Sequence, residues 1–189
     1  MVNSIIYNWR YYHEKGVEQK AAWVDIYAGV IEKLIIWTER VNDANIKLSE
    51  YRVISHRDLD PKNVMWNHGI PYLIDWEAAG YVNPYQELLE ALNYWADNGD
   101  GDLDNTKFNI ILHAYGNYMS TENVDWDCVL DSGYAGMLGW LEYSLKRALG
   151  IESTDEEEKK LGVEQILGTI MALEKYNNQM KTIMKWLSE

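Results

Sequence analysis

The chain has 189 residues, of which 47% are hydrophobic and 25% are charged, and its formal net charge is −13. This length and apolar content suffice for a folded domain with its own core. The negative charge disfavours nucleic acid as a partner, and no uninterrupted apolar run reaches the roughly 20 residues that span a bilayer. We therefore expect a single domain over residues 1–189 that binds neither nucleic acid nor a membrane.

Cysteine content and the first residues indicate the compartment. Cys128 is the single cysteine, which excludes an internal disulfide, and no charged segment followed by an apolar stretch opens the sequence. Both features favour a cytoplasmic location. The acidic excess would attract cationic partners, although an acidic surface also serves solubility alone.

The N-terminal part is predicted to be helical. A first helix is predicted at residues 5–14, and apolar residues then recur every three or four positions from Val17 to Val41, which is typical of one long amphipathic helix. Only 55 residues precede His56, so this part leaves no room for a five-stranded domain.

Two short β-prone runs follow, at residues 63–66 and 71–74. The segment 67–69 between them is Asn-His-Gly, and Asn and Gly suit a tight turn. The runs therefore predict a β-hairpin, with Asn63 at its entry lying beside Asp75 at its exit.

After the hairpin the sequence predicts helices to its end. The first begins with Asn83 as its cap and Pro84 in its first turn, where a missing N–H costs nothing. Apolar residues at helical spacing predict three more helices, around residues 108–118, 137–149 and 161–183. The fold class is therefore mainly α with a small β-hairpin.

The most informative motif flanks the hairpin. It consists of the run His56-Arg57-Asp58-Leu59-Asp60-Pro61-Lys62-Asn63 and of Asp75, 17 residues after Asp58. Phosphoryl transfer needs a positioned hydroxyl and divalent cations on the nucleotide phosphates. Asp58 could accept the hydroxyl proton, while the amide oxygen of Asn63 and the carboxylate of Asp75 suit a hard cation such as Mg²⁺. The alternative is an ordinary turn with Asp75 as a strand-end cap.

These residues resemble the aminoglycoside phosphotransferase family, small-molecule kinases with a protein-kinase-like fold. The family's catalytic loop is His-x-Asp-x-x-x-x-Asn, which matches residues 56–63, and its metal motif is Ile-Asp-aromatic, which matches residues 74–76. Gly80 stands where the family often has glycine, and residues 139–149 are similar to its late core helix, so the resemblance covers roughly the whole chain. Arg57 departs from the family, which more often has glycine there.

The resemblance implies the C-terminal, helical lobe of a protein-kinase-like α+β fold. It implies transfer of the terminal phosphoryl group of ATP or GTP, with Mg²⁺, to a hydroxyl of a small and cationic substrate. Asp58 would be the catalytic residue, Asn63 and Asp75 the metal ligands, and His56 a structural support of the catalytic loop.

Two further parts of a kinase do not occur in this sequence. These are a glycine-rich loop over the phosphates and a strand lysine that pairs with them. We therefore expect the N-terminal nucleotide lobe to be absent from this chain and the isolated chain to be inactive. The apolar surface that such a lobe would cover is expected to favour a homodimer.

An acidic loop at residues 97–104 supplies the last candidate residues. Asp100, Asp102 and Asp104 are predicted to form a rim that attracts a cationic substrate; the alternative is a solvated connection between helices. Two other functions stay open. One is a choline or ethanolamine kinase, in which Trp and Tyr would enclose the cation. The other is a lobe that no longer catalyses and acts as a binding module.

Overall fold

The structure is a computed structural model that describes residues 4–152 and 155–188. Within these residues the chain forms eight α-helices and four short strands, so the predicted fold class, mainly α with a small hairpin, is confirmed. In the described part of the chain, no helix is both long and apolar enough to cross a membrane. The helices are α1 Trp9–Glu18, α2 Val24–Ala28, α3 Ile31–Leu48, α4 Pro84–Trp95, α5 Asn105–Gly116, α6 Trp126–Ser132, α7 Ala135–Ala148 and α8 Glu156–Leu187.

The long helix predicted from Val17 onwards is wrong in its first half. The chain leaves the helical conformation at Lys20, whose φ is 54°, and re-enters it in α2 and α3. The break lets Trp23 fold back onto α1: a Cβ on Gly16 would lie 2.6 Å from Cη2 of Trp23. Packing of a large aromatic ring thus overrides the helical periodicity of the sequence.

The predicted hairpin is confirmed. Strands β2 Val64–Asn67 and β3 Ile70–Leu73 pair antiparallel, with Val64 opposite Leu73. His68 and Gly69 connect them with φ values of 50° and 79°, as a two-residue type I′ turn requires.

A second antiparallel pair, β1 Val53–Ser55 with β4 Gly80–Val82, was not predicted. Strands of three residues are too short to show an alternating pattern in sequence. This pair brackets the hairpin, because β1 comes before the catalytic motif and β4 comes after it.

The predicted cap of α4 is confirmed and is buried. The side-chain oxygen of Asn83 accepts a hydrogen bond from the backbone N–H of Tyr85 at 2.9 Å. Its amide group donates to the carbonyls of Leu48 at 3.2 Å and Tyr51 at 3.0 Å. Asn83 therefore both starts α4 and ties that start to the end of α3.

The chain divides into two compact units. The first comprises Met1–Ala44 and Asp131–Lys181, and the second comprises Asn45–Leu130 and Thr182–Glu189. Trp37 stacks on Tyr134 in the core of the first unit, with ring centroids 5.1 Å apart. Leu92 and Phe108 are fully buried in the second unit, which carries the whole catalytic motif. The predicted single domain over residues 1–189 stays a prediction.

Candidate active site

The catalytic loop brings Asp58 and Asn63 into direct contact. The side-chain N–H₂ of Asn63 donates to the backbone oxygen of Asp58 at 3.0 Å and to its carboxylate Oδ2 at 2.8 Å. A single 3₁₀ turn at Pro61–Asn63, capped by the side chain of Asp60, closes the five-residue interval between them. Oδ1 of Asp58 accepts no hydrogen bond from the residues that the structure describes. It is therefore the oxygen of this carboxylate that could accept a proton.

Asp75 leaves the hairpin beside Asn63. The backbone N–H of Ile74 donates to the carbonyl of Asn63 at 3.0 Å, which extends the ladder of β2 and β3 to the residue before Asp75. Asp75 is exposed, has a φ of 60°, and makes no side-chain bond to the described 3₁₀ turn that follows it. Its carboxylate is thus not a strand-end cap, contrary to the alternative reading of the sequence.

His56 links the catalytic loop to the same segment. Its ring is 2% exposed, and Nε2 lies 2.8 Å from the carbonyl oxygen of Ile74. Because a carbonyl only accepts, Nε2 carries the proton, and Nδ1 is buried without a partner in the described part of the chain. The contact joins the start of the catalytic loop to the residue before Asp75, and the structural role of His56 stays a prediction.

Arg57 has a left-handed backbone. Its φ is 66°, in the region that glycine favours, which gives a physical reason for the glycine that the resembling family more often has here. Gly80 lies against its side chain: a Cβ there would be 3.0 Å from Nη1 of Arg57.

The groups left open at this site suit Mg²⁺. The N–H₂ of Asn63 is occupied by Asp58, whereas its Oδ1 accepts no hydrogen bond from described residues and is not a buried atom. Mg²⁺ is commonly held by one or two protein ligands, with substrate phosphates and waters completing its shell. Among described residues, no group of three or more His, Cys, Asp or Glu could hold a metal ion. Asn63 and Asp75 together could supply the two protein ligands of a Mg²⁺ site that substrate phosphates and waters complete.

Several residues of α4 face this loop, and the sequence motifs did not predict them. Trp95 donates its indole N–H to the carbonyl of Leu59 at 2.6 Å. Loss of hydration is the largest of the causes that raise the pKa of Glu90 to about 7, although its side chain keeps an exposed surface. The negative charges of Glu87 and Asp58 also raise it, and the positive charge of Arg57 lowers it. Burial and the charge of Glu90 likewise raise the pKa of Tyr94. The spacing of positions 87, 90 and 94 on one helical face is a signal that could have found them.

The acidic loop is held by its own side chains. Oδ1 of Asp97 accepts the backbone N–H of Gly99 at 2.5 Å, and Oδ1 of Asn98 accepts that of Asp100 at 2.9 Å. Asp104 caps α5 by accepting the N–H of Lys107 at 2.9 Å. The role of Asp100, Asp102 and Asp104 as a substrate rim stays a prediction.

The family assignment follows from comparison with known proteins. The family model described as the phosphotransferase enzyme family matches residues 6–122, and no curated protein matches the chain. Among solved structures, the chain is similar to an ethanolamine kinase from Plasmodium vivax, with a TM-score of 0.53 and 17% identity over 92% of this chain and 51% of that one. It is also similar to a choline kinase from Cryptosporidium parvum, with a TM-score of 0.47 and 13% identity over 96% of this chain and 58% of that one.

The chain thus spans between half and three-fifths of the length of these two structures. The similarity to the Plasmodium protein confirms the predicted helical lobe of a protein-kinase-like fold. The matched segment covers more than half of the 189 residues and includes the catalytic loop, Asp75 and α4. This chain belongs to the phosphotransferase enzyme family.

Proposed function

We propose that this chain is the substrate-binding and catalytic part of a small-molecule O-phosphotransferase, which moves the terminal phosphoryl group of ATP or GTP to an acceptor hydroxyl. The observation that carries the proposal is the hydrogen bond from the Asn63 amide to the Asp58 carboxylate. It leaves one oxygen of each side chain available, beside the Asp75 segment. Family membership and the similarity to small-molecule kinases support the same reaction class.

In the proposed mechanism, residues of this chain orient the reacting groups, and one of them accepts a proton. Oδ1 of Asp58 accepts the proton of the acceptor hydroxyl, and Asn63 keeps that carboxylate in one orientation by its bonds to Asp58. Asn63 Oδ1 and the Asp75 carboxylate would hold Mg²⁺, which when bound neutralises charge on the nucleotide phosphates. His56 keeps the Ile74 carbonyl, and with it Asp75, fixed against the catalytic loop.

The acceptor is proposed to be a small cation. The negative charges of Glu87 and Asp58 raise the pKa of Glu90 by more than the positive charge of Arg57 lowers it, so the field around Glu90 beside the catalytic loop is negative. In contrast, Asp104 of the acidic loop already accepts a hydrogen bond from its own helix. The negative electrostatic field around Glu90, and not only the predicted rim, would therefore attract a cationic acceptor such as an aminoglycoside.

A choline- or ethanolamine-type acceptor is the second candidate. The aromatic ring of Tyr94 lies in the same negative field as Glu90 and Asp58. An aromatic face beside a carboxylate is the combination that recognises small ammonium groups. This observation supports an amino alcohol as the second candidate.

Calorimetric titration of the chain tests the proposal and separates the two acceptors. Mg²⁺ with nucleotide, a panel of aminoglycosides, choline and ethanolamine are each titrated into the native chain and into Asp58→Asn, Glu90→Gln and Glu39→Gln. Glu39 is an exposed carboxylate of α3 and serves as the control. Acceptor binding that weakens in Asp58→Asn and Glu90→Gln but not in Glu39→Gln is the expected result. If no cation in the panel binds, the proposed acceptor class is wrong and the alternative of a lobe that no longer catalyses gains support.

Two further parts of the proposal concern location and partners. We expect the protein to act in the cytoplasm, where nucleotide donors are available.

We also propose that the exposed hairpin pairs with a second copy of this chain. Residues 64–74 contain no Asp, Glu, Lys or Arg, so two chains of net charge −13 would repel least where these segments meet. Trp66 and Tyr72 of this hairpin are 61% and 50% exposed.

A further inference from the structure

Trp95 is the last residue of α4 and reaches the middle of the catalytic loop. Its indole N–H donates to the carbonyl oxygen of Leu59 at 2.6 Å, and its side chain is partly buried. In the first turn of the same helix, Glu87 accepts the backbone N–H of Arg57 at 2.8 Å. Helix α4 therefore contacts the loop on both sides of Asp58, and the contact after Asp58 comes from a neutral indole.

The Leu59 carbonyl belongs to the peptide group from which the turn of the loop begins. A peptide group is planar, so the direction of this carbonyl also sets the direction of the Asp60 nitrogen. Asp60 caps the 3₁₀ turn: its Oδ1 accepts the backbone N–H of Lys62 at 2.9 Å, and its carbonyl accepts that of Asn63 at 2.9 Å. The indole of Trp95 therefore fixes the peptide group that leads into this turn.

The turn in its place brings Asn63 back to Asp58. At its end, the Asn63 amide donates to the backbone oxygen of Asp58 at 3.0 Å and to Oδ2 at 2.8 Å. A rotation of the peptide group between Leu59 and Asp60 would change the direction of the turn and would displace the Asn63 amide from Asp58. The contact at Leu59 thus bears on two side chains that the proposed function requires.

We propose that Trp95 is a positioning residue, whose indole N–H fixes the peptide group between Leu59 and Asp60 and thereby keeps the Asn63 amide on Asp58. The inference rests on the proposed function for the roles of Asp58 and Asn63, whereas the hydrogen bonds themselves do not depend on that function. The competing account is that the Trp95 ring only fills space between α4 and the loop.

Two substitutions separate the N–H donor from the packing of the ring. Trp95→Phe keeps an aromatic ring but has no N–H. Trp95→His keeps a five-membered ring whose Nε2 takes the position of the indole nitrogen and can carry a hydrogen. Trp9→Phe is the matched control, because the indole of Trp9 also donates a hydrogen bond, to the Thr38 hydroxyl at 2.9 Å, but lies in the first unit.

The experiment uses the ¹⁵N-labelled chain with Mn²⁺ as the probe, because Mn²⁺ broadens the resonances of residues near its site. Mn²⁺ affinity is read from the broadening at Asn63 and Asp75. The metal-free resonances of the Asn63 side-chain amide report its bonds to Asp58, and unfolding midpoints are measured in parallel. The Trp95 indole resonance is identified by its loss in either Trp95 variant.

We expect Trp95→Phe to shift the Asn63 side-chain amide resonances and to weaken Mn²⁺ binding about fivefold, the factor that corresponds to one hydrogen bond of roughly 1 kcal/mol. Trp95→His should keep both readouts near their native values, although the smaller ring lowers the unfolding midpoint. Trp9→Phe should lower the midpoint and leave both readouts unchanged. In the native chain, the Trp95 indole hydrogen should exchange with solvent more slowly than that of Trp140, which is 47% exposed.

Three results would overturn the inference. If Trp95→Phe lowers the unfolding midpoint but leaves Mn²⁺ affinity and the Asn63 amide resonances unchanged, Trp95 only packs. If Trp95→His loses as much Mn²⁺ affinity as Trp95→Phe, the loop needs the large ring and not the N–H donor. If the Trp95 indole hydrogen of the native chain exchanges as fast as that of Trp140, the indole does not hold the Leu59 carbonyl.

A failure of the proposed function gives a different result. If Mn²⁺ broadens neither Asn63 nor Asp75 in the native chain, the metal site fails. The metal-free resonances of the Asn63 side-chain amide in the two variants then decide the role of Trp95. Should Trp95→Phe not fold, Trp95→His and the exchange of the native indole hydrogen decide it.

Discussion

The catalytic motif and the acidic loop of the second unit are both rich in Asp and Asn, yet Asp58 and Asp75 of the motif are engaged differently from Asp97 and Asp104 of the acidic loop. In the acidic loop, Asp97 and Asp104 accept hydrogen bonds from backbone N–H groups of the loop and of α5. In the catalytic loop, Asp58 is bonded by an amide side chain through one carboxylate oxygen, and Asp75 caps nothing in the described turn after it. Carboxylates that local structure leaves open are therefore the better candidates for chemistry than carboxylates that complete a turn.

The largest expected effect comes from removing the carboxylate at the hairpin exit. We expect Asp75→Asn to weaken Mn²⁺ binding at least about a hundredfold, the upper end of what loss of a supporting residue costs. Fold stability should change little, because Asp75 is exposed. Calorimetric titration of Mn²⁺ measures the change. Equal Mn²⁺ affinity in the variant and the native chain would place the metal elsewhere.

A second prediction concerns the amide that holds Asp58. Asn63 is 3% exposed and donates two hydrogen bonds to Asp58, so Asn63→Ala should lower the free energy of unfolding by roughly 2 kcal/mol. It should also weaken Mn²⁺ binding, since the amide oxygen is lost. Denaturant unfolding and Mn²⁺ titration are compared on one sample. A stable variant that binds Mn²⁺ normally would contradict the site.

A substitution in the acidic loop should lower the free energy of unfolding and leave Mn²⁺ affinity unchanged. Asp104→Ala removes the cap of α5 and is expected to cost about 1 kcal/mol of unfolding free energy. Its Mn²⁺ affinity should stay at the native value. Asp104→Asn, which keeps a capping oxygen, is the matched control. A marked loss of cation binding with unchanged stability would show that the predicted rim, and not the cap, is the role of Asp104.

The pH dependence of stability should report Glu90. The pKa of Glu90 is about 7 in the folded chain, above the value of about 4.3 expected in the unfolded chain, so folding favours its protonated form. Its contribution to stability is greatest below pH 4 and is lost as pH rises through 7. Glu90→Gln should therefore flatten the fall in unfolding free energy between about pH 4 and 7, measured by denaturant titration at each pH. Parallel curves for the two proteins would count against this assignment.

The smallest expected effect is on association. If the charge-free hairpin pairs two copies, sedimentation should show a concentration-dependent dimer, and Trp66→Ser should shift the population to monomer. Tyr118→Ser, at an exposed aromatic outside the hairpin, is the control. A native chain that sediments as a monomer at all concentrations would remove this proposal.

By itself, the sequence determined the hairpin, the cap of α4 and the catalytic motif. Each of these features depends on residues that are close together in the sequence. The turn needs residues such as His68 and Gly69 that adopt a left-handed backbone, and Asn83 followed by Pro84 is by itself a helix-start signal. The residues of the motif follow one another at short intervals. Only the tertiary structure decided where α1 ends, because Trp23 packs on Gly16 across a broken helix. Only the tertiary structure placed Glu87 and Glu90 beside Asp58. Burial and hydrogen bonding distinguish these carboxylates from solvated ones. They depend on contacts between residues about 30 positions apart in the chain, which hydrophobic periodicity does not predict.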